Sequence, residues 1–200
     1  MSTGDKLRLG VLGSGRGSNL DAIFRAIQER HLPVEVKVVV SDVRGAGILD
    51  IGRSHRAHTK YVYPGESPGH LAPESERNIA NVLQQEHVEL VLFAGFMRIV
   101  GPVLLAAFPR RIVNIHPSLL PRHRGLRAWE KALSAGDSVA GCTVHYVDEG
   151  VDTGEIIAQA EVDVLPGDTP ESLHARIQEA EHVLYPEVVA FFARERPFAG

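Results

Sequence analysis

The first thirty residues constrain the fold most. An apolar run, residues 7–12, passes directly into a glycine-rich turn, residues 13–17. The turn leads into a segment from Ser18 to Arg30 with Leu20, Ile23, Phe24 and Ile27 at helical spacing. Strand, tight turn and helix form the opening unit of a parallel array, because parallel neighbours need a crossover that a helix supplies. The pattern recurs. Residues 34–40 are β-branched and nearly continuous, as in a strand covered on both faces. A helix is expected over 47–55, a short strand over 59–63, a Pro- and Gly-rich surface loop over 64–73 and a helix over 73–87. Buried strands follow over 89–94 and 111–115, with a short helix over 128–135. The texture then changes: two longer strands, 139–147 and 155–164, meet across a turn, and a helix runs from Pro170 to about Ala193. The expected fold class is α/β: a Rossmann-like, mostly parallel twisted sheet with helices on both faces, and mixed or antiparallel strands in the C-terminal third. Two hundred residues are read as a single domain.

Composition excludes other classes. Apolar residues make up 44% and charged residues 23%, which is ordinary for a globular chain. Lys and Arg number 21 against 25 Asp and Glu, a formal net charge of -4, so the basic excess of a nucleic-acid binder is missing. With one cysteine, Cys142, the chain builds no internal disulfide and no Cys-based zinc site; a small core residue is expected there. No His/Asp/Glu cluster has metal-ligand spacing, so no metal is expected. No run approaches the ~18 apolar residues of a membrane span. The reading is a cytoplasmic protein without a membrane or nucleic-acid partner; monomer and homodimer both stay open.

In such sheets ligands collect beyond the carboxyl ends of strands. The turn Gly13-Ser14-Gly15-Arg16-Gly17-Ser18-Asn19 stands at one such end. Glycines bring backbone N–H groups close to a ligand, and the helix start adds partial positive charge, so the turn reads as a phosphate cradle. It lacks the Lys of a Walker loop. It approaches the dinucleotide fingerprint with Ser18 at the third glycine and Asp42 as a ribose-binding acid, which keeps NAD(P) open. The plain structural reading is a tight turn capped by Ser18.

Asn114-Ile115-His116-Pro117 is the second constellation. Residues two apart on a strand share a face, so Asn114 and His116 point the same way, and Pro117 biases the strand to stop there. An Asn amide and an imidazolium can both donate to an oxyanion, and His116 can move a proton near neutral pH. The plain alternative is a strand end satisfying loop groups. Asp148-Glu149-Gly150-Val151-Asp152-Thr153-Gly154 is either a solvated turn or an acidic flank to His116; an acid beside that ring is expected to raise its pKa. His145 reads as a packed or hydrogen-bonded strand histidine.

Taken together, the segments 13–20, Ala-Gly-Phe-Met-Arg-Ile (94–99), Asn-Ile-His-Pro-Ser-Leu-Leu-Pro (114–121) and 148–154 resemble the phosphoribosylglycinamide formyltransferases, within the folate-dependent formyltransferases. The resemblance implies transfer of a formyl group from 10-formyltetrahydrofolate to the amine of glycinamide ribonucleotide in de novo purine biosynthesis, through a tetrahedral intermediate. It implies that Gly17, Ser18 and Asn19 cradle the ribonucleotide phosphate and that Glu181 contacts the same substrate. It also implies that Asn114 and His116 bind the developing oxyanion and that Asp152 orients His116. Met97, Arg98, Ile99, Val100, Asn114, Asp148, Glu149, Gly150, Val151 and Asp152 would form the folate pocket, with Phe93 and Val144 among candidates for its apolar slot. Residues 1–100 would form the phosphate-binding half and 101–200 the catalytic and folate half. Arg127 stands where the family often has a histidine, and Arg77 is the nearest candidate for its folate-side arginine. A different amine acceptor, hydrolysis of formyltetrahydrofolate, and a nucleotide-binding module without chemistry remain as alternatives.

Overall fold

The computed structural model describes residues 6–196; residues 1–5 and 197–200, the ends of the expected 1–200 domain, lie outside the described residues. The chain runs β1 (Leu7–Leu12), α1 (Ser18–Glu29), β2 (Val34–Ser41), α2 (Gly47–Ser54), β3 (His58–Tyr61), α3 (Pro73–Gln85), β4 (Leu90–Phe93) and α4 (Pro102–Ala107). It continues through β5 (Ile112–His116), α5 (Ala128–Ala135), β6 (Val139–Tyr146), β7 (Ile156–Asp163) and α6 (Pro170–Glu195). The strands form one sheet in the order β3-β2-β1-β4-β5-β6-β7. Pairs among β1 to β5 are parallel, whereas β5–β6 and β6–β7 are antiparallel. The expected fold class is what the chain adopts.

Strand alternation sorts the apolar side chains into two layers. On one face Leu9, Val11, Val36 and Val113 pack with Leu20, Ile23 and Phe24 of α1 and Ile177 and Val188 of α6. On the other, Leu12, Val38, Val40 and Val91 pack with Ile79 and Leu83 of α3 and Leu104 of α4. Burying a side chain of this size contributes about 1.5–3 kcal/mol. Val144 belongs to the first layer and is fully buried, so it does not serve the apolar slot expected of it.

Helix α4 has no counterpart in the sequence expectation. Its six residues are too few to show a helical period, and Gly101-Pro102 reads as a loop. Pro102 sits in the first turn, where a missing N–H costs nothing.

The chain builds outward from β1 through β2 to β3, then returns to the other side of β1 with β4. The loops after β1 and β4 therefore diverge and leave a crevice at the carboxyl ends of both strands. Helix α6 spans this region from one side. Its buried Tyr185 hydroxyl lies 3.1 Å from the carbonyl of Phe93 and 3.0 Å from that of Val113, tying the helix to β4 and β5.

Candidate active site

The crevice is a cavity of about 530 Å³, within the range of small-ligand sites. It joins the turn after β1, the loop after β4, the end of β5, the 148–152 loop and one face of α6.

The turn sits at its first end. Gly17 has φ 88°, and a Cβ there would stand 2.8 Å from the Ile48 backbone. Only glycine fits this position without displacing α2. No side chain caps α1, Ser18 included, so the alternative of a turn capped by Ser18 is not what forms. The first-turn N–H groups of a 12-residue helix are thus without a side-chain partner. Asn19 Nδ2 donates to Glu181 Oε2 at 2.9 Å. Glu181 is 6% exposed, and burial pushes its carboxyl up to about 7 although the Asn19 amide pulls the other way. Asn19 Oδ1 is buried without a partner. A buried acid beside an unfilled acceptor suits a ligand carrying hydroxyl groups.

The loop after β4 is pinned to the turn through Asp42. Ser14 Oγ donates to Asp42 Oδ1 at 2.6 Å, and Arg98 Nε donates to Oδ2 at 2.7 Å. Met97 N donates to Ser14 Oγ at 2.9 Å. Both Asp42 oxygens are therefore engaged, which removes it as a ribose ligand of a dinucleotide. Phe93, Met97, Ile99 and Val100 line an apolar section of the cavity beside Val147.

At the end of β5, Asn114 lies opposite His145 of β6. His145 Nδ1 is 2.8 Å from the Tyr146 carbonyl, which only accepts, so this nitrogen carries the proton. In the neutral ring Nε2 then accepts from Asn114 Nδ2 at 3.1 Å; in the charged ring the proton on Nε2 faces Asp152 Oδ1, 3.6 Å away, and favours the ionised form of that carboxyl. One N–H of the Asn114 amide is fixed, and the second is left for a ligand.

His116 Nε2 lies 3.1 Å from the His123 carbonyl, and Nδ1 lies 3.3 Å from Asp152 Oδ2. Both neighbours are acceptors, so a charged ring satisfies both and a neutral ring only one. Burial nevertheless lowers the His116 pKa and outweighs the opposing pull of Asp152. This corrects the expected net rise. Burial also opposes ionisation of Asp152, but contacts with His145, His116 and the Gly125 N–H hold its carboxyl below the usual range. The resting pair is an ionised Asp152 beside a largely neutral imidazole. Negative charge developing nearby would draw a proton onto the ring.

The remaining expected residues fall as follows. Gly17, Ser18, Asn19, Glu181, Arg98, Asp148, Gly150 and Val151 border the cavity with the residues above. Asp148 shapes its loop by accepting from Gly150 N at 3.0 Å and Thr153 Oγ1 at 2.6 Å. Glu149 is exposed, between Asp148 and Gly150, which border the cavity. Arg127 pairs with Glu130 and stands outside the cavity, as does exposed Arg77 on α3. Sequence reasoning left His145 out of the site, yet it buttresses Asn114. Trp129, His174 and Gln178 were also missed, although residues 174, 178 and 181 share one face of a helix by spacing alone.

Residues 7–189 match the family described as formyl transferase. A phosphoribosylglycinamide formyltransferase from Bacillus subtilis is 39% identical, aligning 91% of this chain with 92% of that protein. The trifunctional purine biosynthetic protein adenosine-3 of Drosophila pseudoobscura is 41% identical over 93% of this chain, which spans 14% of that protein's length. Glycinamide ribonucleotide transformylase 1 from Symbiobacterium toebii superimposes with TM-score 0.90 at 47% identity, covering 96% of this chain and 90% of that one. A formyltetrahydrofolate deformylase from Pseudomonas syringae shares the fold alone, at TM-score 0.86 and 22% identity, with coverage of 98% and 64%.

Proposed function

The chain belongs to the formyl transferase family, and from that premise we propose that it moves the formyl group of 10-formyltetrahydrofolate onto the amine of glycinamide ribonucleotide in purine biosynthesis. The carrying observation is the meeting of two chemistries in one cavity: an unfilled glycine turn beside Asn19 and Glu181, and the Asn114–His116–Asp152 group.

On this reading Gly17, Ser18 and Asn19 hold the phosphate through backbone and amide N–H groups, and Glu181 with Asn19 Oδ1 takes the ribose hydroxyls. Residues 97–100 and 148–152 grip the folate between apolar side chains and backbone. The apolar section fits a flat heterocycle. The free N–H of Asn114 donates to the formyl oxygen as it gains negative charge on amine attack. His116, charged as that anion develops, turns its Nε2–H from the His123 carbonyl to the oxyanion while Asp152 holds Nδ1; the tetrahedral intermediate then collapses with cleavage of the bond from the formyl carbon to the folate nitrogen, which takes up the proton that the amine gives up. One donor already in place, on Asn114, and a second that charges as the anion develops, on His116, act where the negative charge grows. The phosphate-binding half is residues 1–100 and the catalytic half 101–200, with 97–100 and Glu181 crossing between them. The substrates are small molecules, the setting cytoplasmic, and the assembly a monomer or homodimer.

The test supplies purified protein with 10-formyltetrahydrofolate, with and without glycinamide ribonucleotide, and follows deformylated folate by absorbance. Turnover that requires the ribonucleotide is expected. Equal turnover without it makes the protein a hydrolase instead, and no turnover in either case overturns formyl transfer to this amine.

A further inference from the structure

His174, the fifth residue of α6, lies flat against Trp129 of α5, with ring centroids 3.7 Å apart and planes 8° apart. Both border the cavity next to Arg16 of the glycine turn. The placement follows from the helix. Glu181 is anchored on Asn19, and His174 lies about two turns earlier on the same face, which carries it along the turn toward Arg16. Among the described residues, neither the His174 ring nitrogens nor the Arg16 guanidinium has a hydrogen-bond partner or ion pair. Two groups able to carry positive charge thus stand beside the uncapped start of α1, with no acidic side chain paired to either among the described residues. The stack clamps the imidazole face and leaves its edge for a ligand.

We propose that His174, clamped by Trp129, is a phosphate-binding residue of the ribonucleotide site, donating from its ring edge to a phosphate oxygen across from the Gly17–Asn19 backbone. This rests on the functional reading above and adds a residue to it. Burial, and then the nearby Arg16 charge, lower the pKa of the ring. The other neighbours do not offset this: α5 presents the uncharged Trp129, Gln178 on α6 is neutral, and Glu181 is engaged with Asn19. A phosphate dianion reverses the balance, so binding brings a proton with it. Trp129 has the role of positioning this ring.

Trp129 is the single tryptophan of the chain, so its emission reports on the ring stacked against it. The test titrates that emission against pH, alone and with saturating glycinamide ribonucleotide, with binding followed in parallel by calorimetry. Emission is expected to fall as the stacked ring charges, with a midpoint that the ribonucleotide raises by about one pH unit, a tenfold linkage. H174Q should abolish the titration and weaken ribonucleotide binding about tenfold at pH 7, with folate affinity unchanged. A midpoint unmoved while the ribonucleotide is bound overturns the proposal, as does H174Q binding the ribonucleotide as tightly as the parent. Ribose 5-phosphate separates this from the reading beneath it. If it binds and raises the midpoint while the ribonucleotide does not bind, the functional reading falls and the role of His174 in holding a sugar phosphate stands. If neither binds, both fall.

Discussion

Arg98 and Asp42 are 56 residues apart in the chain, and their side chains meet at 2.7 Å. Asp42 spends its second oxygen on Ser14, which in turn accepts from Met97 N. The loop assigned to the folate is thereby fastened to the turn assigned to the phosphate. The pair is well buried, with 2% of the Asp42 side chain exposed, and removing one partner of such a pair leaves the other uncompensated. Asp42→Ala is expected to cost about 2–4 kcal/mol in denaturant unfolding. It should also raise KM for both substrates several-fold with a smaller change in kcat. An effect on one KM alone would show that the two loops are not coupled.

Glu181 sets binding against stability. Its carboxyl titrates at about 7 in the folded protein and near ~4.3 in an unfolded chain. The folded state therefore holds the proton more tightly. The stabilising contribution is whole below the unfolded value, declines as pH rises between the two, and is lost above the folded one. Glu181→Gln keeps an acceptor for Asn19 without the charge. It should stabilise the protein by about 2–3 kcal/mol at pH 8 and hardly at all at pH 4. Thermal melts at both pH values check this. The same variant should bind the ribonucleotide at least tenfold more weakly, because the neutral amide is a poorer acceptor for ribose hydroxyls.

Asn114→Ala and His116→Ala should each lower kcat by about 10²–10³ with modest changes in KM, the loss expected for one donor to a developing oxyanion. Losses of only a few-fold in both would remove these residues from the chemistry. His145→Ala acts through Asn114 and should lower kcat less, about tenfold. His145→Gln, still able to accept from the Asn114 amide, should recover much of it.

Arg127 faces solvent in an ion pair with Glu130, and exposed pairs contribute about 0–1 kcal/mol. Arg127→Ala should leave kcat and both KM values within about threefold. A large loss would mean that this arginine swings into the cavity during turnover.

Gly17→Ala should fail on the backbone. Its φ of 88° costs a residue with a Cβ about 1–2 kcal/mol, and the Cβ meets Ile48. Reduced stability together with weaker ribonucleotide binding is expected, by unfolding and by calorimetry.

The sheet and most helices could be read from the chain because apolar period and turn chemistry are local. The run at 34–40 and the Gly-Ser-Asn helix start needed no distant partner to be recognised. What escaped depended on tertiary pairing. His145 is a site residue because antiparallel register sets it opposite Asn114, and no local pattern encodes register. The direction of the His116 shift escaped for the same reason. Proximity of an acid could be inferred from sequence, but the burial that outweighs it belongs to the packed site. Val144 escaped through its depth: it is fully buried, and sequence spacing does not show how far down a strand the cavity reaches. Glu181 reads from the sequence only as an acid breaking an apolar stripe; its bond to Asn19 spans 162 residues, and no local pattern encodes it.

β1, β4 and β5 are adjacent in the sheet, and adjacent strands are held about 4.8 Å apart by their backbone hydrogen bonds. The turn assigned to the phosphate and the strand end assigned to the chemistry are thus two strand widths apart. Peptide geometry sets that gauge, with no side chain able to retune it. A longer or shorter acceptor would have its amine out of register with Asn114 by a large part of a strand width. Evolving this scaffold toward another amine should therefore proceed by exchanging side chains on the three loops, with the strand ladder left as it is.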